Sequence, residues 1–157
     1  NIMSHYQIRI KQFLKTDIET IWDFASSPTN LKEITPDYML FNITSKNLPE
    51  KMYPGMIIAY EVCPLLNIKM KWLTEITQVK NKSFFIDEQR MGPYKMWHHQ
   101  HLFEEQNDGV LMTDIVTYIP PFGIVGNIAN AVFIKKQLRN IFDYRYKVMD
   151  EKFNKQD

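Results

Sequence analysis

At 157 residues, with 45% hydrophobic and 24% charged side chains, the chain has the size and balance of one globular domain that buries its own core. Its 19 Lys and Arg against 18 Asp and Glu leave a net charge of +1, so nothing in the balance demands nucleic acid or an anionic membrane, and no nucleic-acid partner is expected. A lone cysteine, Cys63, excludes an intrachain disulfide and points to a reducing, cytoplasmic setting, and no apolar run approaches the ~20 residues of a membrane span, so no stable membrane insertion is expected.

The first element is an alternating strand from His5 to Phe13, with Tyr6, Ile8 and Ile10 on one side and Gln7, Arg9 and Lys11 on the other. Thr16-Asp17-Ile18-Glu19 reads as a capping box opening a short helix with Ile18, Ile21, Trp22 and Ala25 at helical spacing, ended by Ser26-Ser27-Pro28. A second short helix is expected from Thr29 to Ile34, stopped by Pro36. The period then becomes two: strands are expected at 38–44, 56–62, 68–79, 84–89, 95–105 and 110–118, with a loop at 47–55, a turn at Gly92-Pro93 and a hairpin turn at 106–109. Ile119-Pro120-Pro121-Phe122-Gly123 is a rigid link into a long helix over 125–153. On a 3.6-residue wheel Ile124, Ile128, Ala131, Leu138, Phe142 and Met149 share an arc, and Asn130, Lys136, Asn140, Asp143 and Lys147 lie opposite, in water.

Strand, two short helices, about six strands and a long helix amount to an α+β domain covering 1–157, in which an antiparallel meander of six or seven strands is closed on one face by the helix. No charged-then-apolar leader stands at the start, and because the chain begins at Asn1 rather than Met, residues are expected upstream. Cys63, beside Pro64-Leu65-Leu66, reads as a buried small hydrophobe rather than a reactive thiol. With 10 Phe, 8 Tyr, 3 Trp and 9 Met, the chain has material for a deformable apolar lining, which suits a tight core and a cavity alike.

Four segments carry a family resemblance: Pro28 to Pro36; Met52 to Tyr60; Asp87 to Tyr94 leading into Trp97-His98-His99-Gln100-His101-Leu102-Phe103; and Asp114 to Tyr118 with the proline-glycine link, ending in Phe142-Asp143-Tyr144-Arg145. In order and motif the chain resembles the START-like superfamily, also called SRPBCC or the birch-pollen-allergen fold, and within it the bacterial polyketide cyclase/dehydrase-like ligand-binding branch. The resemblance implies a helix-grip fold, with a curved sheet wrapped around the C-terminal helix and a hydrophobic cavity between them. Its mouth would lie near the loops and the helix start. The resemblance does not imply an enzyme.

Trp97, His99, His101 and Phe103 alternate and so share a strand face. If 106–109 is the hairpin turn, His101 lies opposite Asp114, Trp97 opposite Tyr118, His99 opposite Val116 and Phe103 opposite Met112, and a slip of one residue would destroy the arrangement. Neutral imidazole beside a carboxylate has the makings of a general base and a Tyr hydroxyl can polarise a carbonyl, so His99, His101, Asp114 and Tyr118 are the catalytic candidates. The plainer alternatives are a polar contact to a ligand, or a buried His–Asp pair that fixes the hairpin. His-x-His with Asp114 as a third ligand is a weaker metal pattern, and no metal is expected. Arg145 falls at the edge of the apolar arc. It either finds a carboxylate such as Asp114, Asp87 or Glu61, snorkels to water, or holds the carboxylate of an amphipathic acid. Lys135, Lys136 and Arg139 read as a solvated helix face. Phe122 is either a plug on a lid hinge or part of a stiff connector.

No Gly-rich phosphate loop, nucleophile elbow or Cys metal motif is present, and no cofactor is expected. The leading expectation is a non-catalytic binder of a small hydrophobic or amphipathic molecule, such as a lipid, isoprenoid, polyketide or quinone, with Trp97, His99, His101, Phe103, Met112, Asp114, Val116, Tyr118, Phe122, Leu138, Phe142 and Arg145 around the ligand. The alternatives are a cyclase or dehydratase using the His/Asp/Tyr cluster, and a protein-interaction module with a vestigial cavity.

Overall fold

A computed structural model describes residues 5–65 and 67–155. Leu66, the far end of the apolar stretch around Cys63, lies outside them; Cys63 itself is buried. Strand β1 (Tyr6–Leu14) is followed by helix α1 (Ile18–Ala25), two 3-10 turns (Pro28–Lys32 and Asp37–Met39) and a short strand β2 (Asn42–Ile43). Strands β3 (Met56–Leu65), β4 (Ile68–Lys80), β5 (Phe84–Met91), β6 (Met96–Gln106) and β7 (Gly109–Ile119) run on from there. The C-terminal helix is one rod in three parts: α2 (Gly123–Ala129), a π-helical turn (Asn130–Ile134) and α3 (Lys135–Phe153). The strands form a single antiparallel sheet in the order β1-β7-β6-β5-β4-β3-β2, so the first strand closes against the last. From β2 to β7 each strand is the neighbour of the next, with short turns from β3 onward, and the long apolar-faced helix covers the concave side.

Local chemistry explains most boundaries. Asp17, not Thr16, caps α1: its Oδ1 accepts from the Thr20 amide at 2.8 Å, while the Thr16 amide turns back to the Leu14 carbonyl. A carboxylate is as good a cap as a hydroxyl, and the helix start moves on by one residue. The expected strand at 38–44 shrinks to two residues, because Pro36 starts a 3-10 turn that ends with Leu40 in the left-handed region at φ 48°. The expected second helix, 29–34, is likewise a 3-10 turn at Pro28–Lys32. The hairpin register of β6 and β7 matches expectation at every pair, from Gln106 opposite Gly109 to Trp97 opposite Tyr118.

The largest departure is in the C-terminal helix. Leu138, Phe142 and Met149 are buried, but Ile124 is 80% exposed, Ile128 is 63% exposed, and Ala131 faces water as well. Asn130, expected in water, is only 2% exposed. The π turn is the cause. It places one residue more in a turn than a 3.6-residue wheel allows, so everything before it is rotated by about 100° relative to α3. The Tyr118 hydroxyl donates to Asn130 Oδ1 at 2.7 Å and holds that turn against β7. Burial, with Tyr6 beside it, pushes the Tyr118 hydroxyl up to about 12, so it donates as a neutral phenol. Gly126 lets α2 lie on the proline link: a Cβ there would sit 1.7 Å from the Pro121 carbonyl oxygen. At the other end, Asn154 accepts from the Lys15 amide at 2.8 Å and donates to the Phe13 carbonyl at 3.0 Å, tying α3 to β1.

Two apolar clusters fill the space between sheet and helix. One packs Trp22 edge-on against Phe85 and Phe103, with Met149 and Phe153 from α3. The other joins Met39, Phe41, Trp72, Trp97, Tyr118, Leu138 and Phe142.

Candidate functional site

Between the two clusters lies a cavity of about 120 Å³, walled by the sheet, the 28–41 segment and α3. Its apolar lining includes Met39, Phe41, Tyr60, Trp72, Tyr94, Trp97, Leu138 and Phe142. The rings are mutually braced: Trp72 meets Trp97 edge-on at 5.4 Å and stacks on Tyr60 at 5.8 Å, and Tyr94 packs on Trp97 at 4.9 Å. Burial pushes the Tyr60 and Tyr94 hydroxyls well above the usual phenol range, so both are neutral.

The polar floor of the cavity is a four-membered cluster built by three adjacent strands. Asp87 on β5, His99 and His101 on β6, and Asp114 on β7 share one face of the sheet. His99 Nε2 donates to Asp114 Oδ1 at 2.7 Å, and His101 Nε2 donates to Asp87 Oδ2 at 2.6 Å. Each imidazole therefore bonds a carboxylate diagonal to it, while its Nδ1 faces the carboxylate directly across: 3.5 Å from His99 to Asp87 and 3.3 Å from His101 to Asp114. The rings lie in series, with Phe85 stacked on His101 at 4.0 Å and His99 tilted against His101 at 3.7 Å.

Electrostatics divide the two histidines. Burial and the neighbouring charge of His101 hold His99 below its ordinary value. Burial also opposes charge on His101, but hydrogen bonds to Asp114 and Asp87 carry it above its ordinary value. Both aspartates pay desolvation, yet the imidazoles bring them below the usual carboxylate range. The preferred state is a charged His101 between two carboxylates beside a neutral His99. The field of Arg145 adds a smaller lowering of Asp87.

What this arrangement can do chemically is limited by its own closure. Three of the four ring nitrogens face carboxylates as donors, and the fourth, His99 Nδ1, lies 3.5 Å from Asp87 Oδ2. A proton taken there would lie beside Asp87 at the cavity wall. One ligand atom each from Asp87, His99 and His101 also lies within 4.8 Å of the others, close enough for a cation, but a cation there would displace the His101–Asp87 bond.

Of the residues expected around a ligand, Trp97, His99, His101, Leu138, Phe142 and Arg145 line the cavity. Asp114 stands behind the histidines, and Val116 and Tyr118 are buried in the core beside them. Phe103 and Met112 belong to the other apolar cluster. Phe122 is 82% exposed and does not line the cavity, because its own left-handed conformation (φ 67°) and the rotated α2 aim it outward; it is no plug here. Arg145 reaches none of the carboxylates proposed for it. Its guanidinium lies over the Phe142 ring at 5.0 Å. Two cavity residues of consequence escaped sequence reasoning. Asp87 as the partner of His101 needs the β5–β6 register, which the irregular 92–95 connection hides. Trp72 carried no signal beyond its place on an alternating strand.

No family model matches the chain, and no curated protein matches it. Solved structures do. Protein CV1439 from Chromobacterium violaceum is similar at TM-score 0.68 and 12% identity over 91% of this chain and 94% of that one. TTHA0849 from Thermus thermophilus gives 0.66 and 13% over 93% and 95%. Ginseng major latex-like protein 151 from Panax ginseng gives 0.67 and 11% over 95% and 97%. Likeness over nearly the full length of proteins from such distant sources, at so little identity, is likeness of fold: the chain has the START-like helix-grip fold that its sequence motifs resemble.

Proposed function

We propose that this protein binds a small amphipathic acid, an apolar body ending in a carboxylate or similar anion, in the cavity between the sheet and α3. One observation carries the reading. Among the described residues, two buried side-chain N–H groups have no acceptor within the protein, Trp72 Nε1 and Arg145 Nε, and both belong to side chains that line the cavity. Buried donors left unmatched cost about 1–3 kcal/mol each, more when charged, so an acceptor supplied by a ligand regains what the fold forgoes. Both groups are donors and one is a cation, which selects an anion over an alcohol or an amine. The aromatic walls suit a flat apolar body, and 120 Å³ gives room for on the order of ten non-hydrogen atoms. The His/Asp cluster, being closed on itself, serves as a rigid polar floor.

The test compares cinnamate with cinnamyl alcohol by calorimetry and thermal shift. Cinnamate is expected to bind the wild type, and Arg145→Met to weaken it at least tenfold while leaving the alcohol unchanged. Equal affinity of both probes for both proteins, or no binding of any small aromatic or aliphatic acid at millimolar concentration, overturns the reading.

A further inference from the structure

The C-terminal helix buries one face over the cavity, and its outer face changes character along its length. Its first half is apolar: Phe122, Ile124, Val125 (69% exposed), Ile128 and Val132 (77% exposed) face water, with Phe133 partly exposed. A stretch of twelve residues presenting six large apolar side chains is far more than scattered surface hydrophobes, and marks a surface that is covered in use. A short cationic band follows, before exposed Asp143 opens a stretch of mixed charge. Lys135, Lys136 and Arg139 are all exposed and follow the apolar part within two turns of the same rod. No Asp or Glu occurs between Asp114 and Asp143, so the apolar face and its basic border carry no acid of their own.

We propose that this face docks on the surface of an anionic lipid bilayer, with the apolar half of the rod lying in the headgroup boundary and Lys135, Lys136 and Arg139 against lipid phosphates and carboxylates. The exposed apolar strip supplies area to bury in the headgroup boundary, and the basic band beside it supplies attraction to anionic lipid. No helix among the described residues is long and apolar enough to cross a bilayer, so the attachment is on the surface. Charge complementarity favours lipid over a second copy of the chain. A two-fold pairing through this patch would bring Lys135, Lys136 and Arg139 no acid from the patch itself, whereas an anionic bilayer meets them with charge. The π turn is what makes the surface: by rotating α2 relative to α3 it turns Ile124 and Ile128 outward while Leu138, Phe142 and Arg145 stay over the cavity. Docking therefore places the roof of the cavity at the lipid boundary. The proposal stands on the exposed face alone and does not depend on what the cavity binds.

The experiment is flotation of the protein with vesicles of phosphatidylcholine alone, or with phosphatidylserine at about one lipid in three. Binding to the mixed vesicles is expected, with at least a tenfold loss on the pure phosphatidylcholine vesicles, in high salt, and in Lys135→Glu/Lys136→Glu. Ile124→Asp/Ile128→Asp should lose it at least tenfold on any vesicle. Met91→Asp, an equally exposed apolar position on β5, should keep wild-type binding. Because all these side chains are exposed, the variants should keep the wild-type circular dichroism and melting temperature. Absence of flotation with mixed vesicles overturns the proposal. So does equal loss in Met91→Asp, or a concentration-dependent dimer that Ile124→Asp/Ile128→Asp abolishes.

Discussion

Replacing Asp114 with alanine is expected to lower folding stability by about 3–5 kcal/mol, the cost of stripping one partner from a buried charged network. Asp114 is 4% exposed and holds His99 at 2.7 Å and His101 at 3.3 Å. Without it a buried imidazole N–H has no acceptor, and the charged His101 keeps only Asp87. Asp114→Asn, which keeps the shape and one acceptor but removes the charge, should cost roughly half as much. Urea unfolding of the three proteins measures both numbers through the midpoint at constant slope. A loss below about 1 kcal/mol for Asp114→Ala would mean that the cluster is wet enough for solvent to replace the carboxylate.

The same cluster sets a pH profile with two limbs. His101 has a folded value raised above its unfolded 6.5, so its contribution is complete below about pH 6.5 and disappears as pH rises through the folded value. His99 is shifted the other way. Its neutral form is the stabilised one, its contribution is complete above about pH 6.5, and it is lost as pH falls through the depressed value. Asp87 and Asp114 contribute fully above their unfolded 3.8 and lose that contribution at lower pH still. Melting temperature measured from about pH 4 to about pH 9 should therefore peak near pH 6.5 and fall on both sides. A curve that rises steadily across that range would show that His101 is not held protonated by its two carboxylates.

How legible was this in the sequence? The β6–β7 hairpin was fully so, because a short Asn-Asp turn fixes the register and strict alternation from Trp97 to Phe103 fixes the face. Once the register is set, His101 opposite Asp114 follows from the period alone. The bond pattern does not follow: each imidazole reaches diagonally, and the second carboxylate arrives from β5. That strand reaches β6 through the irregular 92–95 connection, which is not a two-residue turn and so leaves the β5–β6 register without a signal in the sequence. The long helix was legible as a helix and misread as a wheel. An apolar count cannot place a π turn, because the turn depends on a tertiary bond, Tyr118 to Asn130, between residues whose contact the sequence does not announce. Arg145 lies at the edge of the apolar arc, half-buried, where the helical period puts it. That it would find a ring and the cavity instead of a carboxylate depends on side-chain positions no periodicity encodes.

Phe142→Ala tests whether the cavity is continuous with the core, and it should cost about 3–5 kcal/mol. The ring is 4% exposed, meets His99 edge-on at 5.7 Å, and carries the Arg145 guanidinium over its face. In a sealed core the neighbours of a deleted ring relax toward the hole and recover part of the loss. Here the hole opens into an existing cavity whose walls are braced by Trp72, Trp97 and Tyr94, so little recovery is expected and the cost should fall in the upper half of that range. The enlarged space is apolar, so a neutral probe such as indole should stabilise Phe142→Ala more than the wild type, by a margin that grows with probe concentration. If the variant loses less than about 1.5 kcal/mol and indole raises both melting temperatures equally, the helix has moved in to close the gap. The helix-to-sheet spacing is then adjustable, and 120 Å³ understates the ligand this fold can accept.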